Sequence, residues 1–172
     1  MAKAWEVPGL ERRTSFREAA GRVILTRWRE MMSYREGTLL GEDIEELHAM
    51  RVSSRRLRAA MDAFAESFPP KSFRAHLREV KRVTDTLGRA RDLDVAIERL
   101  NDLVPELGPD ERPGIHGLIA RYAAERMEEG DHVAALFTRL DEERFAKRFE
   151  GYVERHTGVA VRKLRPRPPA EG

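Results

Sequence analysis

The chain of 172 residues is the size of one domain, long enough to bury about two-thirds of its unfolded surface around a single core. Its 36% of charged residues and mean hydropathy of −0.60 place much of that length on exposed faces, and no apolar run approaches the ~20 residues that span a bilayer. The start, MAKAWEVPGLERR, lacks an apolar signal core, so a cytoplasmic location is expected, and zero cysteines exclude disulfides, thiolate metal sites and cysteine nucleophiles.

Apolar spacing is helical nearly throughout and β-branched alternation is absent, which predicts an all-α fold, an antiparallel bundle of about six helices. The first helix is expected from about Thr14 to Arg35, with Thr14 or Ser15 as N-cap and Glu18 placed for a capping box. Gly37 and Gly41 then bracket a turn. The second helix opens on Glu42, Asp43, Glu45 and Glu46, acids that suit the positive end of a helix dipole, and runs to about Phe68, where Pro69 and Pro70 stop it. A third helix spans about Lys71 to Leu87, ended by Gly88, and a fourth about Arg91 to Val104. The segment LVPELGPDERPG is read as an exposed connection. Two more helices follow, about Ile115 to Glu129 and Asp131 to His156, separated at Gly130. The domain is thus expected over residues 12–156, with an N-terminal extension at 1–11. A basic, proline-rich tail at 157–172 is expected to be disordered; Pro166 to Pro169 forms a PxxP of the kind adaptor domains bind.

Net charge of +2 conceals an asymmetry, because His48 to Arg91 holds 11 Lys and Arg against 4 Asp and Glu. Within it, HAMRVSSRRLR contains one histidine, four arginines and no acid. Like charges three or four positions apart on a helix repel, so such a run costs its own helix stability. At ~100° per residue, His48, Arg51, Arg55 and Arg58 share an arc of roughly 80° on one face, beside a core face of Met50, Leu57, Met61 and Phe64, while Arg56 points away from both. The third helix repeats the arrangement with Arg74, Arg78 and Lys81 beside Val80, Val83 and Leu87. Two such helices joined by a short loop pack antiparallel, and their basic stripes would flank one groove whose end Arg89 and Arg91 could reach. Arginine forks suit phosphate oxygens, and His48 can donate to an anion and gains charge as pH falls.

Enzymatic signatures are sparse. The sequence contains no HExxH, no Walker-type phosphate loop, no nucleophile elbow and no ExExK pattern. Binding of a nucleic-acid backbone is the alternative that an arginine stripe always raises; a phosphohydrolase, or an adaptor bundle that docks an acidic protein, is a lesser one.

The pair HAMRVSSRRLRAAMDAF and LGRARDLDV resembles the paired signature of the CHAD domain family. His48, Arg51, Val52, Arg55, Arg56, Leu57 and Arg58 meet the first motif; Leu87, Gly88, Arg91, Asp92, Asp94 and Val95 meet the second. The resemblance implies a helical, non-enzymatic module without cofactors that binds inorganic polyphosphate, with cytoplasmic and polyphosphate-granule association. The binding surface it implies is lined by His48, Arg51, Arg55, Arg58, Lys81, Arg89 and Arg91, which the wheel extends to Arg74 and Arg78. Asp92 and Asp94 would orient arginines and cap the fourth helix rather than hold a metal. No second H-x-x-R run follows Arg91, so the chain resembles one half of such a domain, and two copies are expected to associate as a homodimer around one anion. Arg139, outside the stripe, is expected to matter neither for binding nor for folding.

Overall fold

The computed structural model describes residues 3–166, and among them there is no β-strand. Six α-helices follow one another: α1 (Phe16–Ser33), α2 (Arg35–Leu40), α3 (Ile44–Ala63), α4 (Pro70–Leu103), α5 (Arg112–Glu142) and α6 (Phe145–Thr157). Short 3-10 turns lie at Ala65–Ser67, Val104–Glu106 and Val161–Lys163. The all-α architecture and the helix count agree with expectation, but several boundaries do not.

α1 begins where the capping logic puts it, with the Ser15 side chain accepting from the Glu18 backbone N–H at 3.2 Å, and Glu18 pairs with Arg22 one turn on at 2.7 Å. The expected turn between Gly37 and Gly41 is instead the six-residue α2, with Gly37 inside it and Gly41 closing it at φ 70°. Asp43 caps α3 through the Glu45 N–H at 2.8 Å. Rather than stopping α3, Pro70 opens α4 at its first turn, where a missing N–H costs nothing; α3 has already ended at Ala63.

Two expected breaks are absent. Gly88 lies within α4, merging the expected third and fourth helices into one of 34 residues, and Gly130 lies within α5, which continues to Glu142. An interior glycine costs a helix only about 1 kcal/mol, less than the packing on either side of it supplies here. The true break before α6 falls at Glu143 and Arg144, with Arg144 left-handed at φ 51°. No glycine marks it, so composition offered no signal.

The core lies between α1, α3, α4 and α6, and the second half of α5 closes it with Val133, Leu136, Phe137 and Leu140. Ile24, Leu25 and Met31 of α1, Met50, Leu57 and Met61 of α3, and Val80, Val83 and Leu87 of α4 are all buried in it. Trp28 packs on Phe149 with ring centroids 4.8 Å apart and donates to Glu150 at 3.2 Å, tying α1 to α6. The tail is not free along its first stretch, contrary to expectation. Val159 and Leu164 are buried, and the Arg29 guanidinium donates to the Val161 and Leu164 carbonyls at 2.7 and 2.5 Å. The N-terminal extension is also tied down, since Arg27 and Arg22 donate to the Trp5 and Pro8 carbonyls at 2.9 and 3.1 Å. The PxxP and the expected disorder beyond residue 166 fall outside the described residues.

Candidate functional site

The wheel of α3 survives folding. Its buried positions are Leu47, Ala49, Met50, Ser53, Ser54, Leu57, Ala60 and Met61, and none of His48, Arg51, Arg55 and Arg58 is among them. Arg56 leaves the stripe as its angle requires. It reaches across to α1 and donates to Glu30 at 2.7 Å, and Arg27 closes on the other Glu30 oxygen, so a carboxylate with no exposed surface holds two arginines.

α4 folds back along α3. Arg51, twelve residues before the end of α3, lies over Gly88, eighteen residues into α4: a Cβ at Gly88 would meet Arg51 Nε at 3.9 Å, and Arg51 Nη2 lies 3.8 Å from Asp92 Oδ1. Gly88 is therefore a low point on the α4 surface over which Arg51 extends, not a helix terminator. Residues seven apart share a helix face, so Arg74 and Lys81 stand in line with Gly88 on the strip of α4 that faces α3. The two helices thus present His48, Arg51, Arg55 and Arg58 on one flank and Arg74 and Lys81 on the other. Arg74 also borders a groove of about 520 Å³ beside the Ala65–Ser67 turn.

The remaining three candidates divide differently. Arg78 lines a cavity of about 220 Å³ with His76, Glu79, Glu143 and Arg148, on the side of α4 toward α6. Arg89 is turned toward α5, where Glu129 accepts from its Nε at 3.0 Å. Arg91 is the most enclosed of the set, with 13% of its side chain exposed and Glu98 at 3.9 Å. The expectation that Arg89 and Arg91 sit in a turn at the end of the groove is thus corrected: both are in the body of α4, and Arg89 lies on its α5 side.

Acids lie beside two arginines of the stripe, one of them distant in sequence. Asp92 faces Arg51, and Asp62 lies 4.0 Å from Arg58, although such exposed contacts stabilise by only about 0–1 kcal/mol. Arg55, Arg74, Arg78 and Lys81 enter no ion pair among the described residues. His48 Nδ1 is buried and has no hydrogen-bond partner among them. Neither aspartate of the second motif caps a helix, because α4 runs straight through them; Asp94 instead accepts from Arg126 of α5 at 2.6 Å. Among the described residues, no three His, Asp or Glu side chains converge as a metal site.

Arg126 and Arg139 were not foreseen as contributors. Arg139 is tied into the bundle: it donates to Glu79 of α4 at 2.7 Å and to Glu143 at 2.9 Å, and these bonds raise its pKa above the ordinary arginine value. Its partner Glu79 is sixty residues away, a pairing that spacing cannot reveal.

The model of the CHAD domain matches residues 22–170, nearly the whole chain. The chain belongs to the CHAD domain family. The match takes in α1 from Arg22 onward, both motif helices, α5, α6 and the packed stretch after Thr157, so it extends beyond the residues 12–156 over which the resemblance was expected. No curated protein matches the chain. No helix among the described residues is long and apolar enough to cross a membrane.

Proposed function

We propose that this CHAD domain binds inorganic polyphosphate, without catalysis, on the basic face shared by α3 and α4. The observation that carries the reading is the alignment of Arg55, exposed, with the partly buried His48, Arg51 and Arg58 along one edge of α3, beside Arg74 and Lys81 of α4, with Arg55, Arg74 and Lys81 outside every ion pair among the described residues. A linear polyanion relieves the mutual repulsion of such a row, and because the helices that carry the cations are already ordered, only side-chain freedom is lost on binding. Arg78 and Arg89 lie farther around α4 and would engage a long chain that wraps beyond the groove, while Arg91, one turn from Gly88, is largely enclosed. Arg89 would then exchange Glu129 for phosphate.

Capture of a nucleic-acid backbone draws on the same charge. Of the aromatic residues within the basic segment that could stack on bases, Phe68 and Phe73 are buried in the core and Phe64 is half-buried with its ring 5.0 Å from that of Phe16, which favours an anion without bases.

The test is a titration of the protein with long polyphosphate, pyrophosphate and single-stranded DNA at two salt concentrations. Long polyphosphate is expected to bind most tightly, to displace DNA at lower phosphate concentration, and to lose affinity as salt rises. Arg51→Ala, Arg55→Ala and Arg58→Ala are each expected to weaken binding by about threefold to tenfold, the equivalent of roughly 1 kcal/mol per contact, and Lys147→Ala at an exposed position of α6 to have no effect. Equal affinity across all four variants, or phosphate release on addition of magnesium, would overturn the proposal.

A further inference from the structure

A groove elsewhere on the molecule takes no part in the basic face. It has a volume of about 680 Å³ and runs between the α2–α3 connection, from Thr38 to Leu47, and the middle of α5, from Arg126 to Ala134, with Asp94 of α4 in its lining. Asp94 is 6% exposed and spends one oxygen on Arg126; the other, Oδ2, is buried without a hydrogen-bond partner among the described residues. Thr38, 7% exposed and lining the same groove, has its Oγ1 in the same condition. Asp94 and Arg126 cancel in charge, which leaves Glu42, Asp43 and Asp131 to make the groove negative. Three large apolar side chains stand open around it: Leu39 at 41% exposure, Ile44 at 43% and Met127 at 75%.

We propose that this groove binds an alkylammonium group, carried either on a free linear diamine or on a lysine side chain of a partner peptide. The ammonium donates to Asp94 Oδ2 or Thr38 Oγ1, both closed to solvent, so the groove wall shifts to admit the head, and the methylene stem lies along Leu39, Ile44 and Met127. Asp131 and Asp43 supply the field that draws the cation in. A water molecule alone would satisfy Asp94 but would leave the apolar rim and the negative field unaccounted for. A ligand with a compact cationic head on an apolar stem answers all three observations. The proposal does not depend on the polyphosphate reading, since no residue of the α3–α4 face takes part.

The experiment is an amide NMR titration of the full chain with 1,4-diaminobutane and with the peptide Ac-Ala-Lys-Ala-amide, against 1-butanol and sodium chloride as controls. Saturable shifts at Gly41, Ile44 and Gly130 are expected with at least one amine and with neither control, and the stronger of the two amines identifies the source. Asp131→Asn is expected to weaken the affinity at least threefold and Asp94→Asn at least tenfold, with polyphosphate affinity unchanged for Asp131→Asn. Should Asp94→Asn fail to fold, Asp131→Asn and the exposed Met127→Ser, also expected to lose at least threefold, carry the test. The proposal is overturned by non-saturable shifts with both amines, by equal shifts with butanol, or by unaltered affinity in the folded variants.

Discussion

Arg55 and Arg56 are neighbours in sequence with opposite fates, and one turn of wheel arithmetic separates them. The 100° step that keeps Arg55 on the solvent edge of α3 swings Arg56 onto α1, where Glu30 is wholly buried between it and Arg27. A helical wheel could assign Arg56 a structural place, but not name its partner, because Glu30 lies 26 residues upstream and reads as one more surface acid. Breaking a buried pair strands a charge and costs about 3–5 kcal/mol, far more than any exposed contact of the stripe. Glu30→Ala is therefore expected to lower the urea-unfolding free energy by about 3–5 kcal/mol. Arg56→Ala is expected to cost less, roughly 1–3 kcal/mol, because Arg27 still neutralises Glu30. A variant Arg56→Ala that unfolds at the wild-type urea midpoint yet loses polyphosphate affinity would move Arg56 into the binding stripe.

At the scale of elements, glycine is where sequence reading and structure part. Gly88 and Gly130 read as helix ends because glycine so often follows the last turn, yet both α4 and α5 continue through them. What decides is whether tertiary contacts continue on both sides, and these are visible only once α3 lies on α4 and α4 on α5. The same residue type is indispensable at Gly21 in α1, where a Cβ would fall 2.2 Å from Thr157 Oγ1 and 2.7 Å from Val159 Cγ2. At Gly117 of α5, by contrast, nothing lies within 4 Å. Gly117→Ala is thus expected to stabilise the protein by about 0.5–1 kcal/mol through helix propensity, and Gly21→Ala to destabilise it by about 1–3 kcal/mol through overpacking. Opposite shifts in the thermal midpoint check the pair; shifts of the same sign contradict the assignment.

The contact between α4 and α6 adds a pH dependence. His76 of α4 stacks on Tyr152 of α6 with centroids 4.3 Å apart, and its Nδ1 lies 3.0 Å from the Ser72 carbonyl, a distance that fits Nδ1–H as the donor. Burial, then the nearby charges of Arg148 and His156, hold its pKa below 6.5 despite the opposing pull of the Ser72 bond. The unfolded chain therefore takes up this proton at a higher pH than the folded one. The stability tied to neutral His76 is complete above pH 6.5 and is lost as pH falls from there through the lowered folded value. The thermal midpoint is expected to fall between pH 7.5 and 5.5, and His76→Gln to flatten that fall; an identical slope in the variant would remove His76 as its source.

For the whole molecule the central fact is that charge is segregated rather than merely abundant. His48 to Arg91 carries +7 while the rest of the chain carries −5, and folding places the positive portion along one pair of antiparallel helices. The fold class and the α3 stripe were legible in sequence because each is written in local periodicity, and the family through the resemblance of its two motifs. The division of Arg74 and Lys81 from Arg78 and Arg89 was not, since it depends on which side of α4 each neighbour occupies. That one-sidedness bears on assembly. A polyphosphate chain is charged around its whole circumference, and under the proposed function a single α3–α4 face would neutralise one side of it, leaving the other open to a second copy. Two copies that share one anion gain through effective concentration without needing a new protein contact. We therefore expect light scattering to show a mass near twice that of the 19.8 kDa chain with long polyphosphate at a 2:1 ratio of protein to anion, and a return toward the single-chain mass when anion is in excess and each copy finds its own. A dimer already present without anion would point instead to a direct protein contact. A single-chain mass under every condition would mean that one basic face suffices.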